Sequence, residues 1–527
     1  MKYRFWALLF VATILCVSSC ADDFETRINR GDTSSGGEEV EVALSGVVKD
    51  DAGNPVSGVL VSDGGQTTVT DADGRYQLYS DLSLRRFVYI TIPSEYEIPV
   101  KQGIPQFWKQ IPQGAESFEA DFTLKRRTAA ADRYTVLMVG DPQIRGYSES
   151  TDNLMFHSTD IYKDLCADEK AYAATITDRP VYSVVLGDMV HNKMDLWEEY
   201  CAGIEDFTFP VFHTIGNHDH IQKAKTDDEA IAYFEKHLGP TNYAVELGRL
   251  HFIFLDNIIM EDNSNLTGTS TGEYKAGLSN DIVEWLRGHL KHVDKDKILM
   301  LCTHSSLYKK VDADPAETNV NASVYTGLLA PYKFVHTWAG HNHNWFNYAY
   351  AAEEPGSQYA NVESHVVGRS TGMLGLNAEV AGDGVPRGYL VVDVDGEKIT
   401  WKFRPYASEY GEELPLSADK QLRAYRPYEG GYYADSKVYV NVWAYDAHWG
   451  PVYYTDSGKN KVEMTPEVTH DGYANSLYLM YKDRYSPLKY TTVPHLFSVE
   501  PSAGAKEARI ETTDRFGNTW STSISWE

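Results

Sequence analysis

The sequence predicts a multidomain α+β chain in which a central α/β unit stands between two all-β units. Three observations carry this. At 527 residues the chain is too long for one hydrophobic core and, at ~100–200 residues per domain, divides into about three. Before Lys125, short β-branched runs alternate with Gly-Asn-Pro, Asp-Gly-Gly and Asp-Ala-Asp-Gly turns, the rhythm of antiparallel strands. From Arg133, apolar runs of strand length alternate with longer segments of helical period, and beyond about Tyr406 that period fades into β patterns again.

Residues 1–20, MKYRFWALLFVATILCVSSC, begin with Lys2 and Arg4. An apolar run from Phe5 to Val17 follows, short for a membrane span, and the whole reads as a secretion signal. Its end, Val17-Ser18-Ser19-Cys20, resembles a bacterial lipobox and predicts lipidation of Cys20; an ordinary cleaved signal is the alternative. The expectation is an extracytoplasmic protein, lipid-anchored in the bacterial cell envelope (outer membrane or periplasm) and attached to the membrane through that lipid only. Residues 21–39 are Gly, Ser and charge without apolar period, a flexible tether. Residues 40–126 form the first β unit and are similar to the carboxypeptidase-regulatory-like β-sandwich. Residues 127–406 form the α/β unit, where LSNDIVEWLRGHLKHV predicts a helix with Ser279 as N-cap and Ile282, Leu286 and Leu290 on one face. Residues 407–527 form the second β unit. Its dense Tyr and Trp read as cross-strand packing, with stacking on sugars as the alternative.

A hydrophobic fraction of 43%, with 13% aromatics, is ample for burial and excludes a disordered chain. The formal charge of -27 comes with scattered Lys and Arg, apart from Lys125-Arg126-Arg127, so bulk nucleic acid is excluded as a partner. After Cys20 come Cys166, Cys201 and Cys302, which make no disulfide framework; a Cys166–Cys201 bridge and buried thiols are both open.

Within the α/β unit five apolar runs stop at ligand-type residues: TVLMVGD, YSVVLGD, VFHTIGNHD, KILMLCTH and FVHTWAGHNH. They supply Asp141, Asp188, Asn217, His304, His341 and His343. Open α/β sheets place sites at the carboxyl ends of strands, so these distant endings can converge. Oxygen and imidazole donors without thiolate suit a pair of hard to borderline divalent ions sharing one carboxylate. Each ending alone is an ordinary turn former or a satisfied histidine; the ordered series of five is what points to metal.

The series resembles the calcineurin-like metallophosphoesterase superfamily, whose motifs run D-x-H, G-D, G-N-H-D/E, H and G-H-x-H in this order. The resemblance covers roughly residues 133–405. The flanks, TTDRFGNTW above all, look like the N- and C-terminal β-domains of a bacterial branch. It implies a central β-sandwich flanked by helices, two divalent ions (Mn, Fe, Zn, Mg or Ca), and hydrolysis of phosphoric esters by a hydroxide bridging them. Carried over by position, it makes Asp188 the bridging ligand. Asp141 and His343, with Gln143 where the pattern has histidine, complete the first ion's shell; Asn217, His304 and His341 complete the second. His218 matches the catalytic histidine that protonates the leaving oxygen, and Asp219 either orients it or supports the ligands. An amide oxygen is a harder and weaker ligand than imidazole. The first ion should therefore bind more loosely or be an oxygen-loving one such as Mn²⁺ or Mg²⁺.

Departures narrow the chemistry. His191 stands three residues after Asp188, where purple acid phosphatases carry an iron-binding tyrosine, and GDMVHN lacks the G-D-x-V-D-R-G run of Ser/Thr protein phosphatases. His191, Asn192 and His220 are candidates to line a substrate pocket or to hydrogen-bond the ligands. Arg369 and Arg387 are candidates to meet phosphate, or are solvated loop residues. The expected substrate is a small-molecule, glycan or lipid-head-group phosphate ester, monoester or diester, and the protein is expected to be a monomer. Two other readings stand beside this: a binding or scaffold protein on a degenerate phosphoesterase core, and a phosphoesterase directed to glycans by its β units.

Overall fold

Alternation is visible from the first strand: Leu44–Asp50 buries Leu44, Gly46 and Val48 and leaves the residues between them half-exposed. The computed structural model describes residues 43–128, 131–146, 157–268, 271–308, 319–372, 380–408, 420–427, 435–481 and 492–527. The expected signal, Cys20 and tether lie outside the described residues. No helix among the described residues is long and apolar enough to cross a membrane.

The first β unit has two four-stranded sheets. Its Asp-Ala-Asp-Gly turn forms as expected, with Asp71 Oδ1 accepting from the amides of Asp73 and Arg75 at 2.9 and 2.8 Å. Leu44–Asp50 pairs antiparallel with Arg75–Leu78 but parallel with Phe118–Glu119 and Phe122–Leu124. That departs from a purely antiparallel unit. A parallel return needs a long crossover, which no local turn announces.

The central sandwich is built from β1 (Arg133–Val139), β2 (Val181–Leu186), β3 (Val211–Thr214), β4 (Tyr243–Leu247), β5 (Leu250–Phe254), β6 (Ile298–Cys302), β7 (Phe334–Ala339), β8 (Phe346–Ala349), β9 (Val362–Val366), β10 (Gly388–Asp395) and β11 (Lys398–Pro405). One sheet has the order β3-β2-β1-β10-β11, the other β4-β5-β6-β7-β9-β8. β1, β2 and β3 are parallel neighbours, as are β5, β6, β7 and β9. The period of two then divides the packing. Tyr134, Val136 and Met138 of β1 join Phe252, Phe254 and Met300 between the sheets, whereas Leu137 and Val139 face helices on the outer side. Those helices are α1 (Ser158–Thr175), α2 (Trp197–Ile204) and α3 (Ala232–Leu238), and they contribute Leu165, Trp197, Tyr200 and Phe234. On the second sheet lie α4 (Asn280–Leu290) and α5 (Ala322–Leu329). In α4 the Ser279 side chain accepts from the Ile282 amide, and the buried face is Val283, Leu286 and Leu290, with Trp285 and His289 beside it.

The second β unit comprises two four-stranded antiparallel sheets. A helix, Gly472–Tyr481, interrupts the expected all-β pattern; Asp471 caps it, Oδ1 accepting from the Ala474 amide at 2.8 Å. Trp443, Tyr454 and Tyr439 are buried, as cross-strand packing requires. The unit is pinned to the central sandwich by Arg515, whose guanidinium donates to both Glu363 oxygens at 2.8 and 3.0 Å. Cys166, Cys201 and Cys302 are free thiols, so the Cys166–Cys201 bridge does not form.

Candidate metal centre

Each of the five predicted endings emerges from the carboxyl end of a parallel strand: Asp141 after β1, Asp188 after β2, Asn217 after β3, His304 after β6, and His341 and His343 after β7. To turn ligands inward, the loops adopt conformations that L residues avoid. Asp141, Gln143, Asp188, His341 and His343 have φ of 46°, 43°, 55°, 68° and 62°. They are half of the ten non-glycine residues with positive φ among the described residues, and each such residue costs ~1–3 kcal/mol that the surroundings must offset. Gly216 and Gly340 permit the close approach, since a Cβ on either would collide with the carboxylate of Asp188 or Asp141.

The ligand atoms fall into two groups that share Asp188. In the first, the ligating atoms of Asp141, Asp188 and His343 lie within 4.8 Å of one another. Gln143 Nε2 donates to Asp188 Oδ2 at 2.6 Å, and its Oε1 is buried without a hydrogen-bond partner. In the second, His304 Nε2 is 3.0 Å from Asn217 Oδ1, 3.2 Å from His341 Nδ1 and 3.2 Å from Asp188 Oδ1. His341 Nδ1 is also 3.0 Å from Asn217 Oδ1. His304 Nδ1–H donates to the Leu186 carbonyl at 2.8 Å, which leaves Nε2 to face the cluster.

Burial and the neighbouring Asp188 push the Asp141 carboxyl up to about 8, while His304 and the Arg369 charge act against them. Burial opposes ionisation of Asp188 as well, but His304 and His218 hold it well below the carboxylate range. His304 rises to about 10: burial lowers it, and the two carboxylates outweigh burial. So many ligand-type atoms in one dry space suit bound cations. The orphaned Gln143 oxygen, the shared carboxylate and the imidazole lone pairs fit two divalent ions.

Around this cluster the other candidates separate. His218 donates its backbone N–H to Asp188 Oδ1 at 2.9 Å, and its Nδ1 meets Asn192 Oδ1 at 2.7 Å. Asn192, not Asp219, is therefore the partner that orients His218. Asp219 instead accepts from the amides of Asp188, Val190 and Gly216 at 2.7, 3.0 and 2.8 Å, so it clamps the loops that carry the ligands. His191 stacks on His218 with ring centroids 4.0 Å apart. His220 does not line a pocket: it is fully buried, donates from Nδ1 to the Gly216 carbonyl and sits 3.5 Å from Asp256. Arg369 and Arg387 are buried at 4% and 3% exposure, so neither is a solvated loop residue. Arg369 Nη2 donates to the Gln143 carbonyl at 3.3 Å, and Arg387 lies where its charge lowers the Tyr406 phenol against burial. The sequence reading missed Arg145, which meets His191, and Tyr274, whose hydroxyl is 3.5 Å from His341 Nε2. Arg145 stands four residues after Asp141 in the same loop and was findable; Tyr274 carries no local mark.

Comparison with protein families matches the N-terminal model of calcineurin-like phosphoesterase at residues 42–127, the calcineurin-like phosphoesterase model at 134–345, and the C-terminal model of calcineurin-like phosphoesterase at 370–520. The chain belongs to the calcineurin-like phosphoesterases. The family is typically one of dimetal phosphoester hydrolases, and the first β unit corresponds to its own N-terminal domain. No curated protein matches the chain. Among solved structures, a dimetal phosphatase from Danio rerio is 14% identical, with 52% of this chain and 96% of that one covered and a TM-score of 0.36. A purple acid phosphatase from yellow lupin seeds is 15% identical, with 52% of each chain covered and a TM-score of 0.35. A putative 5'-nucleotidase from Staphylococcus aureus is 12% identical, with 55% and 56% covered and a TM-score of 0.31. Likeness at that level carries no argument about substrate.

A second group of ligand-type side chains in this calcineurin-like phosphoesterase lies outside the cluster. His336 on β7 pairs across the strands with Glu363 on β9, and His365 follows, all buried with ligating atoms within 4.8 Å. His336 Nδ1 and His365 Nε2 are 3.1 Å apart, His365 Nδ1 meets Asn347 Oδ1 at 2.8 Å, and Arg515 covers both Glu363 oxygens. Burial pulls His336 down to about 4 and His365 well below its ordinary range. A neutral histidine pair beside a closed ion pair satisfies itself without a metal.

Proposed function

We propose that this chain is a metal-dependent phosphoesterase that hydrolyses a phosphomonoester or phosphodiester. One observation carries the reading: five strand ends bring Asp141, Asp188, Asn217, His304, His341 and His343 to one cluster, its histidines His341 and His343 half-buried, with His218 beside it. Asp141, Asp188, Asn217, His304, His341 and His343 would hold two divalent ions, which would supply Lewis acidity and lower the pKa of water at neutral pH. Gln143 offers its free amide oxygen to the first of them, and Asp219 holds the ligand loops in register. Water adds to phosphorus, the ester P–O bond breaks, and the leaving oxygen takes up a proton. His218 has Nδ1 committed to Asn192, so Nε2 is the atom that exchanges that proton. Stacked His191 restricts the His218 ring to this orientation.

The same reading places the protein outside the cytoplasm as a monomer anchored by a lipid on Cys20, with a small-molecule, glycan or lipid-head-group phosphate ester as substrate. The basic start, short apolar run and Val-Ser-Ser-Cys ending support the anchor. Purified protein should hold two ions by elemental analysis and turn over an aryl phosphate or a bis-aryl phosphate, with kcat reduced ~10²–10⁴-fold and ions kept in His218→Ala. Bound ions without any turnover across a phosphate-ester panel would favour a degenerate binding protein. Cys20→Ser should release the protein from the membrane fraction; unchanged fractionation would remove the lipid anchor from the proposal.

A further inference from the structure

The loop that carries His343 is fastened at its far end by the second β unit. Two residues beyond His343, the Trp345 amide donates to Asp383 Oδ2 at 2.6 Å. Asp383 is buried in a turn where the Gly384 amide donates to the Ala381 carbonyl at 3.0 Å and Asp383 Oδ1 accepts from the Val385 amide at 3.1 Å. The second β unit closes over this turn. Asn441, on the strand Val438–Val442, donates from Nδ2 to the Asp383 carbonyl at 2.6 Å and to Asp471 Oδ2 at 3.0 Å. With both amide hydrogens spent, its Oδ1 accepts from Nδ1 of His495 at 2.9 Å, on the paired strand Val493–Val499. His495 Nε2 then stands 3.7 Å from Asp383 Oδ2, the same oxygen that meets the Trp345 amide.

A second link runs through rings. Trp443 of the second β unit meets Phe403 of β11 edge-on with centroids 5.4 Å apart, and Phe403 meets Trp345 in the same way at 5.0 Å. The Trp345 indole lies against Gly368, where a Cβ would collide with it, and the next residue, Arg369, donates its amide to the His343 carbonyl at 3.2 Å. Left-handed backbone at His341 and His343 is unfavourable and persists only where the surroundings over-determine it. A buried polar network costs desolvation; what it fixes in return is geometry. We infer that His495, Asn441 and Asp383 are positioning residues for the first ion: the second β unit holds the loop on which His343 reaches the centre, and so sets how tightly that ion is bound. This rests on the phosphoesterase reading and goes beyond it by making the second β unit part of the centre.

The test is a calorimetric titration of ion-free, full-length protein with Mn²⁺, in which the step belonging to the first ion is the one abolished by His343→Ala. Asp383→Ala, Asn441→Leu and His495→Ala should each weaken that step by about 10- to 100-fold, as loss of a hydrogen-bonded support behind a ligand does, and leave the other step within about threefold. His495→Gln, which keeps a donor for Asn441, should fall between the parent and His495→Ala. Arg515→Ala, in the same β unit but bearing on Glu363, controls for general loss of stability: its melting temperature should fall while both steps stay within about threefold. Equal weakening of both steps, the same weakening in Arg515→Ala, or a first step unchanged in His495→Ala overturns the positioning role and leaves the phosphoesterase intact. A parent protein that takes up neither Mn²⁺ nor Zn²⁺ and hydrolyses neither an aryl phosphate nor a bis-aryl phosphate overturns both.

Discussion

The Asp141–Asp188–His343 group and the His336–Glu363–His365 group are both built of carboxylates and imidazoles within 4.8 Å of one another, the second wholly buried and the first with His343 half-buried, yet they differ in what closes them. The first sits on loops beyond the carboxyl ends of β1, β2 and β7, with left-handed backbone at every member and an orphaned Gln143 oxygen beside it. The second sits within β7 and β9 in regular pairing, and Arg515 already covers its carboxylate. Ligand residue types at ligand spacing are therefore not enough. The candidate centre combines an unpartnered buried acceptor with left-handed backbone, whereas the second group shows neither.

The comparison breaks if the two groups respond alike to mutation. The largest effect expected is in the first group: Asp188→Ala removes the shared ligand and should empty both ion positions in elemental analysis, with turnover lost altogether. Next, His218→Ala should cost ~10²–10⁴ in kcat with both ions retained, because proton transfer to the leaving oxygen contributes that much. In the second group, Arg515→Ala should lower stability by about 3 kcal/mol in denaturant titration, as expected for removing one partner of a buried ion pair. It should change neither ion content nor kcat; a variant that loses an ion would make the second group a metal site after all.

A pH profile sharpens the same contrast. The Asp141 carboxyl, raised from 3.8 to about 8, binds its proton more tightly in the folded chain, so its ionisation costs stability as pH climbs towards 8. His304, raised to about 10, contributes stability that is complete below its ordinary 6.5 and is lost as pH rises towards 10. Both slopes have one sign between pH 6.5 and 8. Ion-free protein should lose stability there by at most about 1.4 kcal/mol per pH unit for each group, and saturating Mn²⁺ should flatten the profile. Equal slopes with and without the ion would detach these residues from the centre. The smallest effect is expected from Gln143→His, which should shift preference from Mn²⁺ towards Zn²⁺ by on the order of tenfold in a competition titration. No shift would place the Gln143 oxygen away from the ion.

Much of this was legible because it is local in the chain. An apolar strand ending in a ligand-type residue is a run of about seven letters, and five such runs in order name Asp141, Asp188, Asn217, His304, His341, His343 and His218. The Ser279 cap and the α4 period are equally local. The parallel return onto Leu44–Asp50 was not legible, since β pairing across more than 70 residues leaves no turn to read.

The sequence by itself determined the layered fold and the chemistry of the centre, because strand period, turn residues and donor type are properties of short segments. The tertiary structure alone decided how the charges are partnered. It placed Asn192 rather than Asp219 on His218, turned His220 inward onto Asp256, brought Arg145 beside His191, and closed Glu363 with Arg515 from the far β unit. The reason is physical: a donor's type is written in its residue, but whether a buried charge is met, and by which partner, depends on loops that come together only when the sheets pack.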